Sequence, residues 1–107
     1  MGKFVIHTGK NNQIYFNLKA NNGETILSSE GYTSMRSCKK GIASVMKNAG
    51  DAGKYVTQKA KNGKPYFTLK AGNHQVIGKS ELYESDKACA NGIASVKKNA
   101  PGAKIEG

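Results

Sequence analysis

The chain contains one unit twice: shifted by 51 positions, the sequence aligns with itself without a gap. Residues 2–52 and 53–103 are the two copies, and roughly half of their paired positions are identical. Most of the shared residues are apolar residues, glycines or turn formers, the kinds of residue that a fold requires. The duplication therefore constrains the architecture more than it constrains the activity.

The length of the repeat indicates that the two copies fold together. A unit of about 50 residues buries too little apolar surface to be comfortably stable without disulfides, a metal or a partner. A chain of 107 residues lies in the ordinary range for one domain. We therefore predict that residues 1–107 form a single domain in which the repeats 2–52 and 53–103 share one core.

The apolar segments favour a soluble protein. No stretch approaches the ~18 apolar residues of a membrane-spanning helix. The N-terminus opens directly into an alternating strand pattern, without the apolar core of a signal peptide. We expect a cytoplasmic location and no membrane partner.

Alternating apolar and polar residues predict three strands in each copy. The strands are expected at 3–8, 14–20 and 25–28 in the first copy and at 54–59, 65–71 and 75–79 in the second. Turns rich in Asn and Gly separate them, beginning with Lys10-Asn11-Asn12. His74 replaces the turn residue Gly23. We expect this exchange to be tolerated if the position does not need a glycine conformation.

After the third strand, the spacing of apolar residues changes to three and four, which predicts one amphipathic helix per copy. Ser34 and Ser85 precede the helices and are predicted N-caps. Gly41 and Gly92 interrupt the helices beside the apolar stripe. We expect another helix or the sheet to approach the backbone closely at these two glycines.

These elements favour an α+β fold. Two tandem β3-α-β repeats would form one mostly antiparallel sheet with both helices on the same face, leaving the other face open. A last short strand is expected at 103–106, and its counterpart in the first copy within 51–54.

The repeated unit has a recognisable set of motifs: Phe16-x-Leu18-Lys19-Ala20-x-Asn22-Gly23, Ser29-Glu30-x-Tyr32 and Gly41-Ile42-Ala43-Ser44-Val45. Most of these residues recur in register at Phe67, Leu69, Lys70, Ala71, Asn73, Ser80, Glu81, Tyr83 and 92–96. In these motifs the chain resembles the YegP-like family of uncharacterised bacterial proteins over essentially its whole length. The resemblance implies one sheet with the C-terminal strands exchanged between the units, and a monomer with internal pseudo-twofold symmetry. It implies no known activity, cofactor or active site.

The cysteines and histidines do not indicate a metal site. Cys38 and Cys89 occupy equivalent positions on the apolar stripes of the helices, and we interpret them as small buried apolar residues. A disulfide between them is the alternative, which a reducing compartment disfavours. His7 and His74 are not equivalent, and no CxxC or HxxxH spacing occurs. We expect no cofactor and no metal.

No motif for catalysis is present: the chain lacks a G-x-S-x-G elbow, an H-E-x-x-H helix and a phosphate loop. Glu30 and Glu81 repeat in equivalent motifs, so they could form paired carboxylates across the symmetry axis. The preferred interpretation is that each satisfies backbone donors at a turn or helix entry. We therefore predict no catalytic residue and no enzymatic activity.

The net charge of +10, from 17 basic and 7 acidic residues, favours an anionic partner. Arg36 is the only arginine, which argues against sequence-specific reading of DNA. Two surfaces are candidates for such a partner. The open face of the sheet should carry Tyr15, Lys19, Tyr66 and Lys70, an arrangement of aromatic and basic residues that single-stranded nucleic acid binders use. A basic stripe on the helices should contain Arg36, Lys40, Lys47, Lys87 and Lys98.

The sequence thus favours a small, non-enzymatic binding or accessory protein. The alternative is weak, salt-sensitive binding of single-stranded nucleic acid or another polyanion through the open face. The residues of both surfaces also have an ordinary interpretation as hydrated faces of a strand and of a helix. A third hypothesis is association with other proteins through the edges of the sheet.

Overall fold

The structure is a computed structural model that describes residues 2–9 and 11–106. Within these residues, the strands are β1 (Lys3–Thr8), β2 (Ile14–Lys19), β3 (Thr25–Ser28), β4 (Tyr55–Lys59), β5 (Pro65–Lys70), β6 (Val76–Lys79) and β7 (Lys104–Glu106). The helices are α1 (Met35–Asn48), α2 (Asp86–Asn99) and a short 3₁₀ helix (Ala52–Lys54). The predicted α+β fold is confirmed. Lys10 of the first predicted turn lies outside the described residues.

Both repeats contribute to one seven-stranded sheet in the described part of the chain, with the order β4-β5-β6-β3-β2-β1-β7. Neighbouring strands are antiparallel, except that β7 is parallel to β1. At the centre, Ser28 of β3 lies opposite Lys79 of β6. These residues are equivalent positions of the two repeats, so the pseudo-twofold axis passes through this pair.

The helices cover one face of the sheet. Leu18 lies opposite Leu27 in one repeat, and Leu69 lies opposite Gly78 in the other. All four residues are buried on the helix side. Each helix contacts strands of both repeats: α1 packs on β2 and β6, and α2 packs on β5 and β3. The helices therefore hold the two halves of the sheet together.

The helices begin where the sequence predicts them to begin. Ser34 Oγ accepts a hydrogen bond from Ser37 N at 3.1 Å, and Ser85 Oγ accepts one from Ala88 N at 3.1 Å. Serine is favoured at these positions because its oxygen satisfies an N–H that has no partner in the first turn. Among the described residues, no helix has the length and apolarity that crossing a membrane requires.

Packing at the axis is not symmetric. Leu27 and Gly78 are equivalent positions of the repeats, and a Cβ added at Gly78 would lie 2.6 Å from Cγ of Leu27. The leucine therefore fills space that the glycine leaves free. Two leucines at this point would overlap.

The predicted exchange of C-terminal strands occurs at one end of the sheet. β7 of the second repeat pairs with β1 of the first, and Lys3 Nζ lies 3.4 Å from Glu106 Oε2 across this pair. The prediction of an equivalent strand within 51–54 is wrong. That segment forms the 3₁₀ helix Ala52–Lys54, in which the Asp51 carboxylate accepts a hydrogen bond from Gly53 N at 2.9 Å. β4 is consequently left as an edge strand.

The turn at His74 does require a left-handed conformation. Gly23 has a φ of +83° and His74 a φ of +68°. The position is thus left-handed in both repeats, in a region that is not restricted to glycine. A residue with a Cβ is disfavoured in this region by about 1 kcal/mol, so the second repeat is strained at a point where the first is not.

Candidate binding surfaces

The serines of the repeated Ser-Glu-x-Tyr motif organise the backbone. Ser29 Oγ accepts a hydrogen bond from Phe16 N at 2.9 Å and donates one to Glu30 O at 2.8 Å. Ser80 does the same with Phe67 N and Glu81 O, both at 2.9 Å. In each repeat the hydroxyl therefore ties the end of the third strand to the second strand.

The tyrosines of the motif explain the helix glycines. The Tyr32 ring stacks on Phe16 with centroids 6.1 Å apart, and a Cβ added at Gly41 would lie 2.2 Å from its hydroxyl oxygen. Tyr83 and Gly92 repeat this arrangement, also with 2.2 Å. The close approach predicted at the glycines is thus made by a tyrosine ring rather than by a second backbone.

Glu30 and Glu81 do not have the predicted role. Both are exposed, and within residues 2–9 and 11–106 neither carboxylate makes a hydrogen bond or an ion pair. The backbone N–H groups of Phe16 in β2 and Phe67 in β5 are satisfied by the serine hydroxyls instead. Their carboxylates help to raise the pKa of Tyr32 and of Tyr83, although burial of the two phenols has the larger effect.

The open face, meaning the side of the sheet opposite the helices, carries the four residues proposed for single-stranded nucleic acid. All four are half-buried. Tyr15 and Lys19 are on β2, and Tyr66 and Lys70 are on β5. Since β6 and β3 lie between these strands, the two pairs are separated by three strand spacings, or about 14 Å. The antiparallel direction of β2 and β5 also places Tyr15 and Tyr66 at opposite ends of the face.

Both tyrosine rings already have neighbours. Tyr15 stacks on His7 with centroids 5.6 Å apart and an interplanar angle of 16°. The Tyr66 hydroxyl donates to Gln58 Oε1 at 2.8 Å, and Lys79 Nζ lies 4.9 Å from the centre of its ring. Each ring therefore packs against a neighbouring side chain, and the Tyr15 ring also lies against Gly9.

A groove of about 350 Å³ lies at the pseudo-twofold axis, where the third strands of the two repeats meet. Five pairs of equivalent positions line it: Thr25 and Val76, Leu27 and Gly78, Ser28 and Lys79, Ser29 and Ser80, Glu30 and Glu81. The groove was not predicted, because the sequence does not show that the third strands meet at the axis. The carboxylates of Glu30 and Glu81 repel an anionic ligand in this groove, whereas the ammonium group of Lys79 attracts one.

The residues of the basic stripe are exposed on the helices: Arg36, Lys40, Lys47, Lys87 and Lys98. In the described part of the chain, none of these five forms an ion pair. Helix α1 contains no acidic residue. The only acidic residue of α2, Asp86, lies 3.7 Å from Lys59. This helix layer, meaning the exposed side chains of α1 and α2, therefore carries an excess of positive charge.

Cys38 and Cys89 are buried free thiols. Burial raises the pKa of both, so they remain protonated and poorly nucleophilic at neutral pH. Over residues 2–9 and 11–106, no three His, Cys, Asp or Glu side chains lie close enough together to hold a metal ion. His7 and His74 are exposed, the first on β1 and the second in the turn before β6.

Tyr55 joins the two repeats beside the edge strand. Its hydroxyl donates to Ala49 O, at the end of α1, at 2.7 Å. Burial raises the pKa of this phenol well above its usual value. Lys97 Nζ lies 6.0 Å from the centre of the ring. This tyrosine is therefore a structural link between α1 and β4.

Comparison with known proteins shows matches over almost the whole chain. A family profile described as "Domain of unknown function (DUF1508)" matches residues 10–55 and again residues 60–106. The UPF0339 protein YegP of Yersinia pestis is 54% identical over 99 residues, which cover 92% of this chain and 88% of the relative. YegP of Escherichia coli K12 is 52% identical over 98 residues, with 92% and 89% covered.

Two solution NMR structures have the same fold. YegP of E. coli superimposes with a TM-score of 0.93 at 48% identity, covering 98% of this chain and 90% of that one. The UPF0339 protein SO3888 of Shewanella oneidensis superimposes with a TM-score of 0.92 at 46% identity, covering 98% and 89%. The agreement extends over both repeats.

Proposed function

Because this chain belongs to the DUF1508 family, as its resemblance to YegP-like proteins predicted, and the family name states no function, we propose a role from the geometry of the molecule. The protein is a non-enzymatic binding protein whose ligand is a polyanion. It acts as a cytoplasmic monomer, since the second repeat supplies the partner that a single repeat would otherwise need. The observation that carries the proposal is the excess of positive charge on the helix layer.

The non-enzymatic part rests on what the repeated polar residues do. Ser29 and Ser80 bond to the backbone of neighbouring strands, and Tyr32 and Tyr83 cover the helix glycines. The most recognisable motif of the family is therefore used for packing. A turnover activity that survives purification and is abolished by one substitution on the surface would contradict this part.

The helix layer is favoured over the open face as the contact surface for electrostatic reasons. On the open face, Lys3 pairs with Glu106, and two carboxylates, those of Glu30 and Glu81, line the groove at the axis. Helices α1 and α2 contain a single acidic residue, Asp86, although Glu24 and Glu81 lie beside α2 near Asn91. A polyanion gains most where it releases counterions from unpaired cations.

Charge-matched variants test the site. Binding of a labelled single-stranded RNA and of a DNA duplex is measured by fluorescence anisotropy at low and at physiological ionic strength. We expect dissociation constants on the order of micromolar or weaker that rise steeply with salt. The K40Q/K47Q/K98Q variant should bind several-fold more weakly than the wild type. The K19Q/K70Q/K79Q variant, which loses the same charge from the open face, should bind nearly as well as the wild type.

The open face remains the second candidate surface, and the position of Lys79 over the Tyr66 ring favours it. A base stacked on the Tyr66 ring would bring its phosphate close to this ammonium group. In that case Y15A/Y66A should lose binding to single-stranded RNA, while K40Q/K47Q/K98Q should retain it. The two sets of variants therefore separate the two surfaces.

Association through the edges of the sheet is the remaining hypothesis, because β4 presents an unpaired edge. Light scattering over a range of protein concentrations distinguishes it from the monomer. A constant molar mass supports the monomer, and a rising mass that a proline in β4 abolishes supports edge pairing.

A further inference from the structure

The basic stripe is partly symmetric, and the inference that follows rests on the proposed binding of a polyanion. Arg36 and Lys87 are equivalent positions of the two repeats, and so are Lys47 and Lys98. The axis that relates the two repeats passes between Ser28 and Lys79 and is perpendicular to the sheet. A rotation about this axis reverses directions in the plane, so α1 and α2 run antiparallel. The four cations consequently form a twofold-symmetric set.

The stripe points away from the core. At 100° per residue, Arg36, Lys40 and Lys47 fall within about 40° of one another on the helical wheel, opposite the buried residues Cys38 and Val45. The first and last cations of the stripe are 11 residues apart, or about 16 Å along the helix axis. The positive charge is therefore spread over two antiparallel rows rather than concentrated at one point.

We propose that the helix layer binds double-stranded nucleic acid through its phosphates, without reading sequence. The two strands of a duplex run antiparallel and are related by twofold axes perpendicular to the helix, as the two rows of cations are. A single strand has a direction and no such axis. Lysines act as point charges on phosphate rather than as bidentate readers of bases, which suits contact with the backbone only.

An anionic membrane fits the same charge less well. Membrane-surface helices bury apolar side chains beside their basic residues. Of the described residues, the exposed large apolar side chains are Met35, Leu82 and Ile105, and only Met35 belongs to a helix. The helix layer is thus basic without the apolar component that insertion into lipid requires.

One position breaks the symmetry of the stripe and provides a test. Asn91, which is exposed on α2, is equivalent to Lys40 on α1. N91K completes a third symmetric pair of cations on the helix layer. S28K is the matched control: it adds the same charge on the open face, and it also copies the residue of the other repeat, Lys79.

The experiment measures affinity for a DNA duplex and for a single strand of the same phosphate count over a series of salt concentrations, with folding of each variant checked by thermal unfolding. We expect N91K to bind the duplex a few-fold more tightly, with the slope of log K against log salt steeper by about 0.9. K47Q/K98Q should reduce that slope by about 1.8, since two phosphate contacts are lost. S28K should leave both quantities nearly unchanged.

Three outcomes overturn the inference. An equal gain from S28K and N91K rejects the helix layer as the contact surface, and a single strand bound as tightly as the duplex rejects the duplex as the preferred ligand; in both cases the proposed binding of a polyanion stands. Tighter binding to phosphatidylglycerol vesicles than to either nucleic acid rejects nucleic acid as the partner. If the wild type binds neither nucleic acid at low salt, the proposed function fails as well.

Discussion

Leu27 occupies the space beside Gly78, which is its own equivalent position in the second repeat. At an exact twofold axis both residues would be the same, and either two leucines would overlap or two glycines would leave a void. The observed pair fits because one side chain is large and the other is absent. The two repeats are therefore complementary at the axis rather than interchangeable.

Exchanging the two residues tests this complementarity. L27G should destabilise the protein by roughly 2–5 kcal/mol, because it leaves a cavity in the core. G78L should cost about 1–3 kcal/mol through overpacking. The L27G/G78L double variant should be more stable than the sum of these costs by at least about 1 kcal/mol, because the single leucine is restored from the other side. Urea unfolding gives the three values; strict additivity would show that the residues do not share this space.

A separate repeat should not fold alone. In a fragment of residues 1–52, β3 loses its partner β6, and α1 loses its contacts with the second repeat. Circular dichroism should show no cooperative thermal transition for the monomeric fragment, whereas mixing it with residues 53–107 should restore one. A fragment that melts cooperatively as a monomer in sedimentation experiments would refute the shared core predicted from the sequence.

His74→Gly should stabilise the protein. The residue adopts a φ of +68°, and glycine removes the clash of its Cβ in this region. The gain should be up to about 1 kcal/mol, reduced by the greater freedom of glycine in the unfolded chain. Gly23→Ala at the equivalent turn, with a φ of +83°, should have the opposite sign and cost about 1 kcal/mol. Chemical unfolding of both variants checks the pair, and a loss of stability in His74→Gly would contradict it.

Gly41→Ala and Gly92→Ala should be destabilising, although alanine is the better helix former by about 1 kcal/mol. Each new methyl group would lie 2.2 Å from a tyrosine hydroxyl oxygen, so a net cost of about 1–3 kcal/mol is expected. Gly50→Ala is the control, because a Cβ there meets no atom within 4 Å. It should be neutral or slightly stabilising. Melting temperatures of the three variants decide the matter.

Stability should fall as the pH rises above about 9. Burial raises the pKa of Cys38 and Cys89 from 9.0 and that of Tyr55 from 10.0. In this range the unfolded chain loses protons that the folded chain keeps, so the free energy of unfolding decreases with pH. Removing the thiols in C38A/C89A should delay the start of the decline to about pH 10, where Tyr55 still contributes. Urea midpoints between pH 8 and 11 test this, and identical profiles for the variant and the wild type would contradict it.

Most of the fold follows from local sequence patterns. Strands β1 and β2 and the start of α1 agree closely with the prediction, because alternation and the N-cap Ser34 act over a few residues. The segment Ala52–Lys54 was expected to be a strand. Three residues are too few to show the alternation of apolar and polar residues that predicts a strand. The Asp51 carboxylate stabilises a 3₁₀ turn there.

The candidate sites were harder to predict, because they depend on which strands are neighbours. The sequence places Tyr15 and Tyr66 on one face, but their diagonal separation follows from the order β5-β6-β3-β2. The groove exists because β3 and β6 are neighbours at the axis. The spacing of residues within one strand does not indicate which strand will be its neighbour. The basic stripe, in contrast, depends on a local pattern, since helical spacing alone determines that Arg36 and Lys47 share a side.

Because β7 pairs with β1, the beginning and the end of the described chain are neighbours in the sheet. If a linker long enough to return from the end of β7 to the start of β1 joined these parallel strands, and the backbone were opened at Ala52–Lys54, every strand would keep its present neighbours, with the second copy now preceding the first. The architecture is thus compatible with circular permutation, and the order in which the ribosome makes the two halves is immaterial to it.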